Sequence, residues 1–273
     1  MNNLQQTAMS IAYKHFISLR WIDRTPGDRA TANEGLGTPF RVSGFVVSVS
    51  GEWFLVTAGH ILEDVDKSLQ AGQILEEWTL DDGARPDAKH PELIPFAFAG
   101  SAKHYFYNPE VGDYGCIHLS HMYCELLKKN GIVAFDERAW RISGEFERYW
   151  LLGIPTQLVE VEVVDGKMQE QNWHVIIGVD RISSPPEGVK QGAFFYGLLS
   201  DGLVDERGRT LTNIDGLSGA PILGWRRGGD GRFRYWIVAV QSSWYPSKRL
   251  VVASPFQVYA EWLGRLLART TKE

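Results

Sequence analysis

Apolar residues recur at helical spacing near both ends of the chain. In residues 4–22 they stand about three or four positions apart, which would align them on one face of an α-helix and predicts an N-terminal helix. Residues 255–270 repeat this spacing and predict a C-terminal helix. The segment after the first helix, residues 23–39, is polar and rich in glycine and proline, which indicates a loop or linker.

Between these two helices, short runs of apolar, aromatic and β-branched residues predict strands. Residues 45–49 and 53–57 are two such runs, and the glycine-containing turn between them predicts a hairpin. Residues 114–119 predict a further strand, which a short helix over residues 120–130 would follow. Beyond residue 140 a second set of strands is predicted, at residues 149–152, 158–164, 173–179, 193–199, 220–223 and 235–240.

The composition agrees with a folded, mainly β protein. The chain has 273 residues, of which 44% are hydrophobic and 22% charged, and these values exclude intrinsic disorder as the state of the whole chain. Its 28 glycines and 12% aromatic residues favour an all-β fold with many turns. No apolar run is long enough for a transmembrane helix, and the net charge of −5 argues against a broad nucleic-acid-binding face. We therefore expect neither a membrane nor a nucleic acid among the partners.

The N-terminus and the cysteine content predict where the protein resides. The first residues lack the basic segment and the apolar stretch of a secretory signal. The chain has 2 cysteines, Cys116 and Cys124, whereas secreted proteins of this size often carry several disulfides. These features predict a cytoplasmic location.

Three short segments carry residue types that are used in nucleophilic catalysis. They read Thr-Ala-Gly-His60, Gly-Asp113-Tyr-Gly and Gly-Leu-Ser218-Gly-Ala-Pro. A serine hydroxyl becomes a useful nucleophile when a neighbouring base removes its proton, and histidine can be that base near neutral pH. An aspartate can hold the imidazole in the required tautomer. His60, Asp113 and Ser218 are therefore the candidate catalytic residues.

These segments together resemble the catalytic motifs of the trypsin-like, chymotrypsin-fold serine peptidases, in the order histidine, aspartate, serine. Thr-Ala-Gly-His60 is similar to the family's Thr-Ala-small-His motif, and Asp113 opens an Asp-x-Gly-x-x-x-Leu strand. The segment around Ser218 matches Gly-x-Ser-Gly-x-Pro. The resemblance covers about residues 40–265 and is to a bacterial-type intracellular member without disulfides.

The resemblance implies an all-β fold of two six-stranded antiparallel β-barrels, to which this chain would add the N-terminal helix and the C-terminal helix. The first barrel would carry His60 and Asp113, and the second would carry Ser218. The expected division is residues 1–39 for the N-terminal helix and linker, 40–138 for the first barrel, 139–254 for the second barrel and 255–273 for the C-terminal helix.

The resemblance also implies a serine endopeptidase that hydrolyses peptide bonds in peptide or protein substrates through an acyl-enzyme, without a cofactor. The backbone N–H groups of Gly216 and Ser218 would form the oxyanion hole. Substrate binding is expected from six residues, which are Thr212 and Asn213 at the pocket floor, Asp215 near its mouth, and Val240, Gln241 and Ser242 on the strand that would pair with the substrate.

One position departs from the secreted members of this family. Leu217 stands directly before Ser218, where those enzymes have an aspartate that pairs with a new N-terminus after zymogen cleavage. Because leucine cannot form that ion pair, activation of this kind is not expected. The oxyanion loop would be preformed, or it would be organised by another part of the chain or by a regulatory protein partner.

Two other serine-hydrolase classes fail on the order of the residues. An α/β-hydrolase needs its histidine after the nucleophile, but no histidine follows Ser218 and the last in the chain is His174. A subtilisin-like order needs aspartate before histidine, and the β-rich pattern supplies no parallel α/β sheet. The remaining alternative is a protease-fold binding or regulatory protein that is catalytically silent or needs a partner, although all three candidate catalytic residues are retained.

A separate group of residues, Cys116, His118, His121 and Cys124, consists of types that bind zinc. Its spacing, Cys-x-His-x-x-His-x-x-Cys, is not a common structural-zinc pattern. The alternation of side chains along the predicted strand already explains Cys116 and His118. We therefore expect no metal at this group.

Overall fold

The computed structural model describes residues 12–26, 35–82, 93–140, 144–200 and 210–270. Within these ranges the chain forms a large first sheet, a closed second barrel and three α-helices. The strand-rich architecture and the C-terminal helix predicted from the sequence are confirmed.

The first half of the chain forms an antiparallel sheet of seven strands, where a six-stranded barrel was predicted. Its order is β5-β4-β1-β2-β3-β7-β6, so β1 and β2 lie near its middle. The strands are β1 Phe16–Asp23, β2 Thr38–Val49, β3 Glu52–Thr57, β4 Leu75–Asp81, β5 Ile94–Pro95, β6 Lys103–Asn108 and β7 Gly112–Leu119.

The second half contains a closed six-stranded barrel, in the order β11-β12-β15-β14-β13-β8. Two further strands, β9 and β10, pair with each other and, among the strands that the structure describes, form a separate two-stranded ribbon. The strands are β8 Arg148–Gly153, β9 Val159–Val164, β10 Lys167–Asn172, β11 Val175–Ile182, β12 Phe195–Leu199, β13 Pro221–Arg227, β14 Phe233–Tyr245 and β15 Leu250–Pro255.

The predicted N-terminal helix is wrong for residues 16–22, which lie in strand β1, and residues 4–11 lie outside the described ranges. Strand β1 pairs with β2 on one side and with β4 on the other, and nearly all of its side chains are buried on both faces. A strand buried on both faces does not alternate apolar and polar residues, so its periodicity cannot distinguish it from a buried helix.

The described ranges contain three α-helices beside the strands: α1 Gly59–Gln70, α2 His121–Lys129 and α3 Phe256–Thr270. Helix α3 packs into a hydrophobic cluster that joins the two halves of the molecule. This junction cluster includes Phe45 and Val56 from the first sheet, Leu152 and Val240 from the barrel, and Tyr259 from α3. The apolar contacts therefore fix the position of the barrel against the first sheet, where the candidate site lies.

Candidate active site

His60 is the second residue of helix α1, which begins directly after strand β3. Its backbone N–H donates a hydrogen bond to Asp113 Oδ1 at 2.9 Å, and its ring Nδ1 lies 2.6 Å from Asp113 Oδ2. Because a carboxylate only accepts hydrogen bonds, this pairing assigns the ring proton to Nδ1. The other ring nitrogen, Nε2, is then left as a proton acceptor.

Asp113 is the second residue of strand β7 and is 1% exposed. Its backbone N–H donates to Ser254 Oγ at 2.9 Å, which ties the strand to β15 of the second barrel. Both carboxylate oxygens accept from His60. Because the buried carboxylate of Asp113 binds both the backbone N–H and the ring of His60, it fixes the position and the orientation of the imidazole.

Ser218 lies in the turn of residues 215–220, which we call the Ser218 turn, ahead of strand β13. The residue after it, Gly219, has φ +89° and packs closely on Thr57 Oγ1 and the Ser43 carbonyl oxygen of the first sheet. Ser43 Oγ also donates to the Gly216 carbonyl oxygen at 3.1 Å and accepts from the Ile154 N–H at 3.3 Å. These contacts hold the Ser218 turn against the end of β3, close to the start of α1.

Each of the two N–H groups predicted for the oxyanion hole is oriented by a hydrogen bond of the carbonyl in its own peptide group. The Asp215 carbonyl oxygen accepts from Thr156 N at 2.7 Å, and the Leu217 carbonyl oxygen accepts from Ala220 N at 2.9 Å. In a trans peptide the N–H points away from the carbonyl, so the N–H groups of Gly216 and Ser218 point away from these partners. Neither donates to a protein acceptor within the described residues.

Leu217 anchors the Ser218 turn in the second barrel. Its side chain is fully buried, in the same cluster as Leu151, Ile214 and Ile222. Gly216 beside it has φ +90°, a backbone conformation that side-chain-bearing residues rarely adopt. Burial of the Leu217 side chain therefore attaches the Ser218 turn to the barrel core, at the position where leucine cannot form an ion pair.

The predicted pocket residues form a hydrogen-bonded polar rim before the Ser218 turn. Gln157 Oε1 accepts from the backbone N–H of Thr212 at 3.1 Å and from that of Asn213 at 3.2 Å. The Asn213 amide donates to the Asp215 carboxylate, and the Asp215 N–H donates back to Asn213 Oδ1 at 3.1 Å. Thr212 and Asp215 are exposed, and Asn213 is half-buried. Their contact with a substrate stays a prediction.

At the residues predicted to pair with the substrate, Val240 to Ser242, strand β14 is already hydrogen-bonded to other parts of the protein. Val240 lies between β13 and β15, and the backbone of Gln241 bonds to the Ser218 turn while pairing with β15. Ser242 Oγ donates to the Val252 carbonyl oxygen at 3.1 Å. From Ser243 to Tyr245, β14 pairs with β15 on one side only, so its other edge is open within the described residues.

Lys190 lies beside this open edge and was not singled out from the sequence, where it occupies an unremarkable loop. Its Nζ donates to Ser243 Oγ at 3.1 Å and lies 4.5 Å from the centre of the Phe194 ring. Burial lowers the pKa of Lys190, and the nearby charge of Asp113 acts in the opposite direction. The ammonium group thus contacts the open edge of β14 and is within the electrostatic influence of the candidate catalytic aspartate.

The four residues of the alternative zinc group are separated in the structure. Cys116 belongs to the junction cluster, and burial raises the pKa of its thiol to about 12. Cys124 belongs to a different cluster on the first sheet, and His118 is bonded to Glu52 at 2.8 Å. Within the described ranges, no three His, Cys, Asp or Glu side chains are grouped as metal ligands.

None of the helices described here combines the length and the apolar character needed to cross a membrane.

Several solved structures align with most of the chain. It aligns with Deg5 at 11% identity and a TM-score of 0.45, covering 96% of this chain and 94% of that chain. It aligns with the thermostable serine protease AL20 from an extremophilic microorganism at 14% identity and a TM-score of 0.45, covering 89% and 92%. For the protease Anisep from Arthrobacter nicotinovorans the identity is 15%, the TM-score 0.42 and the coverage 89% and 90%. No protein-family model matches the chain, and no curated protein sequence matches it significantly.

Proposed function

We propose that this chain is a serine endopeptidase whose catalytic residues are His60, Asp113 and Ser218. The observation that carries the proposal is the double hydrogen bond from His60 to Asp113, which leaves His60 Nε2 as the proton acceptor. The packing of the Ser218 turn on Thr57 and Ser43 supports the proposal, because Thr57 ends the strand that precedes α1 and His60. An active geometry then needs no bound cofactor.

The reaction follows from the roles of these groups. His60 Nε2 takes the hydroxyl proton of Ser218 as Oγ attacks the carbonyl carbon of the substrate, and Asp113 stabilises the resulting imidazolium. The N–H groups of Gly216 and Ser218 stabilise the oxyanion. His60 then gives its proton to the leaving amine, the acyl-enzyme forms, and water releases the acyl group by the same steps in reverse.

The substrate class is a peptide or protein bound in extended form. The acyl part would add as a strand to the open edge of β14 from Ser243 to Tyr245, since Gln241 is already paired on both sides. Thr212, Asn213 and Asp215 would line the pocket for the side chain before the cleaved bond. Buried Leu217 supports an oxyanion loop that is formed without zymogen cleavage.

The proposal is tested by labelling the purified protein with a fluorophosphonate, which reacts with an activated serine. Wild type should be labelled on Ser218, Ser218→Ala should not be labelled, and His60→Ala should react far more slowly. Ser101→Ala is the matched control, because Ser101 is bonded to Ala97 away from the site. A folded wild type that resists labelling, alone and in host lysate, would instead support a silent binding protein. Labelling only in lysate would indicate activation by a partner.

A further inference from the structure

A cavity of about 350 Å³ opens beside Ser218 and Gly216. One of its walls is a stripe on helix α1 that follows directly from His60. Ile61, Asp64, Val65 and Ser68 stand three or four residues apart, so the helix presents them on one face, and all four line the cavity. The reacting serine and the helix of the candidate base therefore border the same space.

The opposite wall is apolar and comes from the first sheet, where Trp21, Phe40, Val42 and Leu75 line the cavity. The rings of Trp21 and Phe40 are stacked with centroids 5.6 Å apart, and Trp21 is stacked on Trp78 at 4.9 Å. Trp78 continues the stack to Phe98 at 4.0 Å. Since each ring is held by the next, this wall is formed before any ligand binds.

The charged residues of the cavity favour some ligands over others. The guanidinium of Arg41 is held by Asp81, Glu170 and Ser18, so Arg41 presents mainly its apolar stem. Asp64 is exposed at the cavity and forms no ion pair within the described ranges. Asp23 also lines the cavity, and its Oδ1 accepts from the Thr25 N–H at 2.8 Å. The cavity is therefore mainly apolar and is bordered by two carboxylates, of which Asp64 has no ion-pair partner within the described residues.

The position of the cavity identifies the part of a substrate that would enter it. Its walls come from α1, from the first sheet and from Gln73 between them, and among the described residues of the second half Gly216 and Ser218 line it. The open edge of β14, which would hold the acyl part, contributes none of its lining. A peptide that crosses Ser218 would thus place the residues after the cleaved bond over this cavity.

We propose that the cavity is the specificity site for the leaving side of the substrate, and that it selects a large apolar, above all aromatic, side chain after the cleaved bond. Asp64 disfavours an acidic side chain at that position. This inference rests on the proposed function, because a leaving side exists only if Ser218 forms an acyl-enzyme.

Acyl transfer to added amines tests the leaving side separately from the acyl side. A 4-nitrophenyl ester acylates the enzyme, and its release of nitrophenol reports that step alone. An added amino acid amide then attacks the acyl carbon: the C–N bond forms, the C–Oγ bond to Ser218 breaks, and His60 passes the amine proton to Oγ. The ratio of amide to acid product measures how well each amine is bound.

Wild type should transfer the acyl group to phenylalaninamide at least about tenfold better than to glycinamide at equal concentration, as expected for an apolar pocket. It should use glutamine amide several times better than glutamate amide. Phe40→Ala removes part of the cavity wall, and Ser68→Phe places a ring in the cavity from the half-buried position of Ser68. Each variant should reduce the preference for phenylalaninamide over glycinamide to within about threefold. Asp64→Asn should weaken the discrimination against glutamate, and the carboxylate of Asp23 would account for what is left.

Two variants are matched controls outside the cavity. Asp66→Asn makes the same chemical change on the same helix, where Asp66 faces Tyr105 instead. Phe106→Ala removes an exposed ring from β6. Both should keep the wild-type preferences. A nitrophenol burst followed by equal transfer to phenylalaninamide and glycinamide would overturn this inference alone. Nitrophenol release at the same rate from wild type and Ser218→Ala would overturn the proposed function and the inference together.

Discussion

The carboxylate of Glu170 and the guanidinium of Arg41 form an ion pair that connects the ribbon of β9 and β10 to the first sheet. Arg41 Nη2 lies 2.5 Å from Glu170 Oε1, and the two side chains are 7% and 6% exposed. Glu170 also pairs with Arg20 at 2.7 Å, so one carboxylate serves two buried guanidinium groups.

Removing the charge of Glu170 should therefore be costly. Glu170→Gln leaves two buried cations with less compensation, and we expect the free energy of unfolding to fall by about 3–5 kcal/mol. Urea denaturation measures this change. Glu162→Gln, on the exposed side of the same ribbon, should alter the free energy of unfolding by less than about 0.5 kcal/mol. Equal effects of the two variants would contradict the role assigned to the buried pair.

Two buried histidines should make the protein less stable as the pH falls below neutrality. Burial lowers the pKa of His174 to about 3 and that of His15 to about 4, so both are neutral in the folded state. In the unfolded chain they take up protons near pH 6.5, which favours unfolding as the pH falls through that value. Each should remove about 2 kcal/mol of stability between pH 7.5 and pH 5.

The histidine contribution can be isolated by His174→Phe, which keeps a ring beside Tyr13 and Phe16. Its free energy of unfolding should fall less between pH 7.5 and pH 5 than that of wild type, by about 2 kcal/mol. His121→Phe is the control because that side chain is 89% exposed. Denaturation curves at the two pH values give the comparison, and identical pH slopes for wild type and His174→Phe would refute the assignment.

Asp113→Asn should remove the orientation of His60 without removing its ring. An asparagine amide can donate to Nδ1, which would move the imidazole proton to Nε2 and abolish the base. We expect the rate of fluorophosphonate labelling to fall by about 10⁴-fold. Asp230→Asn, in an exposed turn, should label at the wild-type rate. A modest loss in Asp113→Asn would mean that Asp113 does not set the tautomer of His60.

Gly216→Ala should disable the oxyanion loop. The position has φ +90°, and a β-carbon would lie 2.5 Å from Thr156 Oγ1 and 2.9 Å from Thr156 N. Displacing one donor should lower kcat for ester or peptide hydrolysis by about 10²–10³-fold. Gly229→Ala is the matched control, because a β-carbon there meets nothing within 4 Å. An active Gly216→Ala enzyme would require different oxyanion donors.

Leu217→Ala should show how the burial of Leu217 affects the stability of the protein and the reactivity of Ser218. It would leave a cavity in the barrel core and lower the free energy of unfolding by about 2–5 kcal/mol. Under conditions where the variant is still folded, fluorophosphonate labelling should slow, since the neighbouring N–H groups lose their support. Leu198→Ala, at a more exposed position on β12, should change neither measurement appreciably. Unchanged labelling in folded Leu217→Ala would show that the turn does not depend on this anchor.

The sequence supported predictions wherever the signal was local. The hairpin before His60, the strand that begins at Gly112 and the C-terminal helix each follow from a short run of residues, and the structure contains all three. The hydrogen bonds between His60 and Asp113 agree with the order of the motifs, while the catalytic roles of these residues stay a prediction.

What the sequence could not provide depends on contacts between distant segments. Strand β1 is buried on both faces, so its pattern resembled a helix, and the cavity wall formed by Trp21 was missed with it. Lys190 and Glu170 acquire their positions only when separate strands and loops meet. The sequence around Lys190 and around Glu170 contains no motif or spacing that would predict these contacts.

The attachment of the Ser218 turn to Ser43 and Thr57 has a consequence for the timing of activity during synthesis. His60 and Asp113 leave the ribosome early with the first sheet, whereas Ser218 and its anchor in the barrel emerge much later. Under the proposed function, the nascent chain would carry a base without a nucleophile for most of its translation. Peptidase activity would then arise only when the second half of the chain folds onto the first.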